Sequence, residues 1–150
     1  MLVKEAISFK QYRNPKEALD VSIKPLIEEW LEKHKITQFC TINDDLSIDS
    51  NTFIGIMDKI EESELPYFIK FNKTLGFSCS KNNLTSLRGC PKIVEGNFYC
   101  YANKLTSLEG APKEVSKNFV CHNNPGNFTE EDVKAVCNVI SGKIEITGKI

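Results

Sequence analysis

The most reactive side chains in this sequence belong to six cysteines and two histidines, His34 and His122. Thiolate and imidazole groups bind zinc, but no two cysteines are spaced as Cys-x-x-Cys, and two histidines complete no zinc pattern. No GxGxxG, GxxxxGK[ST], HExxH or GxSxG motif is present either. We therefore expect no metal, no cofactor and no enzymatic activity. The cysteines are Cys40, Cys79, Cys90, Cys100, Cys121 and Cys137.

Three of these cysteines recur at one position of an internal repeat. Residues 77–97, FSCSKNNLTSLRGCPKIVEGN, and residues 98–118, FYCYANKLTSLEGAPKEVSKN, are identical at 12 of 21 positions. A third copy begins at Phe119 with FVCHNN and stops at Pro125-Gly126. A fixed period of about 20 to 30 residues is typical of solenoids, in which each coil buries its apolar side against its neighbours. The repeat therefore predicts stacked coils.

A divergent copy precedes the clear ones. Its residues Leu46, Ile48, Asn51, Phe53 and Ile56 reproduce the spacing of Phe98, Cys100, Asn103, Leu105 and Leu108. This copy is about ten residues longer than the others, with the extra length near residues 58–64. Buried asparagines in the turns can satisfy backbone groups of their own and the adjacent coil. The alignment predicts such a ladder at Asn51, Asn82, Asn103 and Asn124.

Each repeat begins with a short strand, in which alternate side chains point in opposite directions. Phe98 and Cys100 are then expected to point into the core, and Tyr99 outward. The recurring cysteines are expected to pack as small buried residues, since free cysteine is among the most buried residue types. Alternation also places Cys121 and His122 on opposite faces, so they cannot form a nucleophile–base pair.

The alternative for the cysteines is a metal-binding or redox ladder, because side chains on adjacent parallel strands lie about 5 Å apart. The first copy argues against it, since Ile48 holds the equivalent position in the alignment. Cys90 aligns with Ala111, which indicates another small packing position. Without an export signal we expect the thiols to remain free, as in a reducing compartment.

The repeat follows the pattern φ-x-φ-x-x-Asn-x-Leu-x-x-Leu, in which φ stands for an apolar residue. This is the pattern of the strand and turn of a leucine-rich repeat. The motif LTSLxGxPKxV followed by NFxC resembles the repeats of the short leucine-rich-repeat proteins encoded by bacteriophages and some bacteria. It is more distantly similar to the repeats of secreted bacterial effectors. The resemblance covers residues 46–128 and extends more loosely to both ends. It implies a surface that holds another macromolecule, and it implies no catalytic residues.

We predict one α+β domain over residues 1–150, built as a short leucine-rich-repeat solenoid with a cap at each end. The N-terminal cap would span residues 1–42 and the coils residues 43–128. Within this cap the pattern predicts a helix capped by Ser22, with Pro25 in its first turn, and a shorter helix starting at Asn14. Trp30 lies on the apolar face of the longer helix and is expected in the core.

The C-terminal cap would span residues 129–150. Thr129 and Asp132 are predicted to open a short helix, and the alternation of Ile144 and Ile146 predicts a strand. Both ends are interpreted as caps because end coils would otherwise expose core. The alternative for the N-terminal arm, residues 1–20, is a docking or dimerisation segment.

The outward strand positions predict where a partner binds. Tyrosine is enriched at the energetic centres of protein interfaces. Exposed strands also favour tyrosine and valine by β-propensity alone, which is the competing explanation. The expected partner-binding residues are Ser78, Ser80, Tyr99, Tyr101, Val120 and His122, in line with Ser47 and Asp49 of the first copy.

Composition and charge limit the other classes of partner. The formal net charge is −1, and acidic residues interleave with the lysines of the repeats, so we expect no nucleic-acid binding. No apolar run is long enough to cross a membrane. The charges of Lys4, Glu5 and Lys10 leave no room for the apolar core of a signal peptide, which favours the cytoplasm.

The sequence therefore favours a non-catalytic protein-binding module. If the resemblance to phage proteins holds, it would be an accessory protein that acts on a host protein in the host cytoplasm. The alternative is a structural or assembly protein that self-associates through its solenoid ends or its N-terminal arm.

Overall fold

The computed structural model describes residues 15–57 and 59–147, with side chains described from residue 23 onward. The N-terminal arm, residues 1–20, for which docking or dimerisation was the alternative to a cap, lies outside the described residues apart from the backbone that follows residue 14. The described residues include two helices, α1 (Pro15–Lys33) and α2 (Glu130–Val136), with a 3-10 turn at Thr37–Phe39. The strands are β1 (Cys40–Ile42), β2 (Ile48–Ser50), β3 (Phe53–Gly55), β4 (Phe71–Thr74), β5 (Gly76–Ser78), β6 (Ile93–Val94), β7 (Phe98–Tyr99), β8 (Glu114–Val115), β9 (Phe119–Val120), β10 (Asn138–Val139) and β11 (Ile144–Glu145).

The strands form a β-solenoid of about four coils, so the predicted α+β class and solenoid architecture are confirmed. Sheet A has the order β1-β2-β4-β6-β8-β10, and sheet B has the order β3-β5-β7-β9-β11. Consecutive coils pair in parallel in both sheets, and only β1 pairs antiparallel, with β2. Each coil therefore contributes one strand to each sheet.

The second sheet was not predicted from the repeat. After Gly110 and Pro112 the chain returns in an extended conformation and forms β8, where the sequence indicated only a turn. A coil of 21 residues, the distance from Phe98 to Phe119, has too little chain for a helix on its return side. An extended return segment instead satisfies its backbone groups by pairing with the coils above and below.

The predicted alignment of the first coil is wrong. Ile48 lies in β2 and pairs with Phe71 in sheet A, whereas the residue in register with Phe77 of sheet B is Ile54. The true spacing from the first coil to the second, from Ile54 to Phe77, is 23 residues, close to the regular repeat. Asn51 is exposed in a bend and takes no part in the asparagine ladder.

The core is a set of side-chain columns that run along the solenoid. One column holds the strand phenylalanines, with ring centroids 6.2 Å apart for Phe77 and Phe98 and 5.1 Å apart for Phe98 and Phe119. The recurring cysteines form a second column and are buried, as predicted. Leu84, Leu87, Leu105 and Leu108 close the core beyond the turn, and Cys90 and Ala111 fill the predicted small positions.

The asparagine ladder is confirmed for three of its four predicted members, Asn82, Asn103 and Asn124. The side-chain oxygen of Asn103 accepts hydrogen bonds from the backbone N–H groups of Asn82 and Leu84, each at 3.1 Å. Its amide group donates to the carbonyl oxygen of Cys79 at 3.0 Å and to that of Cys100 at 3.2 Å. Each asparagine thus joins its own turn to the preceding coil.

The N-terminal helix differs from the prediction. It is one continuous helix, and Pro25 lies inside it instead of in its first turn. The helix passes through Ser22, so this residue is not its N-cap. A proline inside a helix removes one hydrogen bond, which a packed helix can tolerate. Trp30 is buried as predicted, with its ring 6.3 Å from that of Phe71.

The C-terminal helix and strand agree with the prediction from the sequence. Thr129 and Asp132 form a capping box, in which the Thr129 hydroxyl accepts from the Asp132 backbone and the Asp132 carboxylate accepts from the Thr129 backbone. The predicted strand at Ile144 is present as β11.

Thr74 is a buried polar residue at an apolar position of sheet A. It lies in register with Val94, which is followed by Val115 and Val139 in the same column, and its hydroxyl finds no partner among the described residues. We expect Thr74→Val to raise the free energy of unfolding by about 1 to 2 kcal/mol, because it removes an unsatisfied buried hydroxyl at nearly constant volume. Urea unfolding would measure this. The exposed Thr106→Val should change stability by less than about 0.5 kcal/mol, and equal effects would refute the explanation.

Candidate functional site

Four aromatic side chains form a continuous row on the outer face of sheet B. The ring centroids of Phe53 and Tyr99 are 6.3 Å apart, those of Tyr99 and Tyr101 are 6.2 Å apart, and those of Tyr101 and His122 are 4.8 Å apart. Phe53 is 50% exposed, and the other three are partly exposed. We refer to Phe53, Tyr99, Tyr101 and His122 as the aromatic row.

Strand alternation explains the position of this row. Tyr99 follows the buried Phe98 and therefore points away from the core, and Tyr101 and His122 each follow a buried cysteine. Because the coils stack in register, outward residues of neighbouring coils become lateral neighbours.

Gly76 makes room for Phe53. The two residues are in register on β5 and β3, and a Cβ atom placed at Gly76 would lie 2.5 Å from Cδ2 of Phe53. The Phe53 ring thus occupies the space that a side chain at position 76 would need. Asn97 and Asn118 hold the corresponding positions in the next coils, where Asn97 accepts a hydrogen bond from the Asn118 backbone at 2.9 Å.

Three predicted contact residues are not exposed. Ser80, Ser78 and Val120 retain only 0%, 2% and 5% of their accessible surface, so the expectation that they form an exposed face is wrong. Each is small and stands beside a larger side chain of the aromatic row: Ser78 and Val120 are in register with Tyr99. Large rings on one strand lean over small residues on the next and cover them.

Two further predicted positions, Ser47 and Asp49, belong to the other sheet. Asp49 lies in β2 of sheet A, where its carboxylate accepts from the Lys73 backbone at 3.1 Å. The structure thus brings together Tyr99, Tyr101 and His122 from the predicted set. It adds Phe53, which the sequence alignment had placed in the core. The alternation of Ile54 and Ile56 at the right spacing from Phe77 was the signal that could have revealed it.

The row offers contact area and hydrogen-bonding groups, and it lacks a nucleophile–base pair. Cys121 is buried in the core column while His122 lies on the outer face, as alternation predicted. Ser80 Oγ and His122 Nδ1 are buried polar atoms without a partner in the described part of the chain. Both residues lie just beyond the ends of their strands, in the coils on either side of Tyr101.

The cysteine side chains are free thiols, and all except the half-buried Cys40 are buried. Cys79 Sγ and Cys90 Sγ are 3.9 Å apart without a disulfide. The hydrogen bond with Cys79, together with burial, raises the pKa of Cys90 well above its ordinary value, and burial is the main cause of a similar rise in the pKa of Cys100. Such thiols are poor nucleophiles, because the thiolate is the reactive form.

The thiol pKa values predict a loss of stability at alkaline pH. Burial raises the pKa of Cys40 and of Cys137 from 9.0 to about 11, so the unfolded chain loses these protons at lower pH than the folded chain. The free energy of unfolding should therefore fall as the pH rises from 9.0 to about 11, as measured by urea unfolding. Cys137→Ala should show a shallower fall over this range, and an unchanged slope would contradict the assignment.

Two ion pairs on the surface link side chains of neighbouring coils. Lys73 Nζ lies 3.7 Å from the Glu95 carboxylate, and Arg88 lies 3.9 Å from that of Glu64. Within residues 15–57 and 59–147, no group of three or more His, Cys, Asp or Glu side chains is placed to hold a metal ion. No described helix has the length and apolar character needed to cross a membrane.

Comparison with known proteins gave no relative from which a function could be transferred. No family model, no curated protein and no solved structure matches this chain. The evidence for the candidate site is therefore the geometry of its residues in this structure.

Proposed function

We propose that this chain is a non-catalytic protein-binding module whose contact surface is the aromatic row. The observation that carries the proposal is the continuity of Phe53, Tyr99, Tyr101 and His122, which come from three coils and share the outer face of sheet B. Aromatic side chains supply large contact area at low entropic cost, and tyrosine is enriched among residues that dominate binding energy.

The geometry of the rings favours a protein over a flat small ligand. Neighbouring rings along the row are inclined by 60°, 88° and 25°, so they do not form a single stacking plane. They present ridges and gaps of the kind that side chains of a partner can fill. Four strands span only about 15 Å, so a partner of ordinary interface size would also contact the loops beside the row.

The leucine-rich-repeat identity of the solenoid is part of this proposal. It is supported by the asparagine ladder and by the leucines that follow it, which occupy the positions such repeats require. In this interpretation α1 and the C-terminal elements cap the coils. Burial of Ile27, Trp30 and Leu31 supports the N-terminal cap.

The proposed setting is a reducing cytoplasm, where thiols such as Cys79 and Cys90 remain free. The resemblance of the repeat to phage proteins extends the proposal to an accessory protein that acts on a protein of the host cell. We also propose that the protein has no nucleic-acid partner. The pairing of Lys73 with Glu95 and of Arg88 with Glu64 supports this, because each basic side chain has an acidic neighbour.

Affinity capture from lysate of the natural host cell tests this function. Wild-type protein and the Tyr99→Ser/Tyr101→Ser variant would be compared, with bound proteins identified by mass spectrometry and binding then measured with the purified candidate. We expect a partner that wild type retains and the double variant binds at least about tenfold more weakly, as loss of two interface tyrosines predicts.

Tyr67→Ser is the matched control, because Tyr67 is 72% exposed and lies outside sheet B. All variants must first show the melting temperature of the wild type. A partner lost equally from Tyr67→Ser would place the contact elsewhere, and a partner retained by the double variant would refute the role of the aromatic row.

A further inference from the structure

The two ends of the solenoid differ in how their core is covered. At the N-terminal end, α1 places Ile27, Trp30 and Leu31 against the coils, and all three are buried. At the C-terminal end, the core columns finish in side chains that are only partly buried, with nothing in the described chain stacked beyond them. These are Val139, Ile144 and Ile146.

Among the described residues, both sheets also end here in a strand that is paired on one side only. β10 is the last strand of sheet A and β11 the last strand of sheet B. A cleft of about 830 Å³ lies between these strands and α2, lined by Val139, Ile144 and Lys134 among others. A sheet edge with free backbone groups beside apolar side chains is a template for pairing with another chain.

The backbone of β11 shows which groups are free. The N–H of Phe119 donates to the carbonyl oxygen of Lys143 at 2.9 Å, and the N–H of Cys121 donates to that of Glu145 at 2.8 Å. Lys143 and Glu145 therefore direct their backbone groups towards β9. Successive residues of a strand direct these groups to opposite sides, so the N–H and C=O of Ile144 face the open edge.

This arrangement is self-complementary. If a second β11 approaches antiparallel, with Ile144 opposite Ile144, the two residues can exchange both hydrogen bonds across a twofold axis. In this register Lys143 of each chain stands opposite Glu145 of the other. Both side chains lie on the outer face of the sheet and are exposed, so two oppositely charged cross-strand pairs form.

We propose that the C-terminal end of the solenoid is a homodimer interface, formed by antiparallel pairing of β11 with β11 of a second copy about Ile144. The pairing buries the exposed ends of the core columns and satisfies the sheet edge. Because α1 covers the core at the other end, the contact closes as a dimer and does not propagate as a fibre. The aromatic row is separate from this contact, so the dimer does not depend on the proposed binding function.

Charge reversal tests both the interface and its register. Sedimentation equilibrium over low to high micromolar concentrations should give wild type a mass approaching twice 17.0 kDa. Lys143→Glu or Glu145→Lys alone places like charges opposite each other twice, and we expect each to raise the dimer dissociation constant about tenfold or more. The double variant K143E/E145K restores opposite charges and should restore the dimer.

Matched controls separate this contact from general charge effects. Lys92→Glu makes the same charge change on an exposed residue of an inner coil and should leave the dimer intact. Tyr99→Ser/Tyr101→Ser should also remain dimeric. A wild type that stays at 17.0 kDa throughout, or a dimer insensitive to Lys143→Glu, would overturn the proposal. A double variant that fails to regain the dimer would overturn the register.

Discussion

Asn103→Asp should destabilise the protein by about 3 to 5 kcal/mol at neutral pH, although it changes a single atom. The amide nitrogen of Asn103 donates to carbonyl oxygens of Cys79, Cys100 and Tyr101, at 3.0, 3.2 and 3.4 Å. An ionised carboxylate would place an oxygen against these three carbonyl oxygens in a buried site. It would lose two good hydrogen bonds and add electrostatic repulsion at the same time.

The pH dependence of this variant gives a second, independent readout. Burial and the surrounding carbonyls would raise the pKa of the introduced carboxyl, and the protonated form can donate one hydrogen bond. The variant should therefore recover stability relative to wild type as the pH falls from the raised pKa of the folded state to the pKa of the unfolded state, about 4. Urea unfolding at several pH values measures both effects.

Asn83→Asp is the control, since Asn83 is exposed in the equivalent turn of the preceding coil, next to Asn82. It makes the same chemical change without a buried partner, and we expect a loss below about 0.5 kcal/mol. Similar losses for the two variants would show that charge, and not the ladder, determines the stability of the turn.

Phe98→Ala should destabilise the protein by about 3 to 5 kcal/mol, because it opens a cavity in the middle of the phenylalanine column. Phe98 is fully buried, between Phe77 and Phe119 of the adjacent coils. Strand pairing holds the backbones of Phe77 and Phe119 in place, so the neighbouring rings can fill the space only in part. The free energy of unfolding in urea measures the loss.

Phe53→Ala deletes the same side chain from the outer face. With half of its surface already exposed, Phe53 should contribute about 1 kcal/mol or less to stability. This variant thus tests the aromatic row without unfolding the scaffold. A loss as large as that of Phe98→Ala would mean that Phe53 is a core residue and would remove it from the candidate site.

The sequence repeat was enough to predict which residues form the core of this protein. Where Phe, Cys, Asn and Leu recur every 21 residues, they must occupy equivalent environments in stacked coils, and the phenylalanine and cysteine columns follow from alternation alone. The capping box of Thr129 and the strand at Ile144 are local signals that depend on a few adjacent residues. They too were accessible from sequence.

The strands of the first coil could not be assigned to their sheets from the sequence. The segments around Ile48 and around Ile54 both alternate apolar and polar residues, and either satisfies the strand pattern of the repeat. Only pairing with Phe71 in one sheet and with Phe77 in the other assigns each segment. The choice moves Phe53 from the core to the outer face and removes Asn51 from the ladder.

Sequence by itself determined which strand residues point outward, and tertiary structure decided which of them a partner can reach. Alternation fixes direction because it is a property of one strand. Exposure depends on the size of side chains on the neighbouring strands, which lie 21 or more residues away in the chain. Ser78, Ser80 and Val120 are therefore outward but covered, whereas Tyr99, Tyr101 and His122 are outward and accessible because they are the larger neighbours.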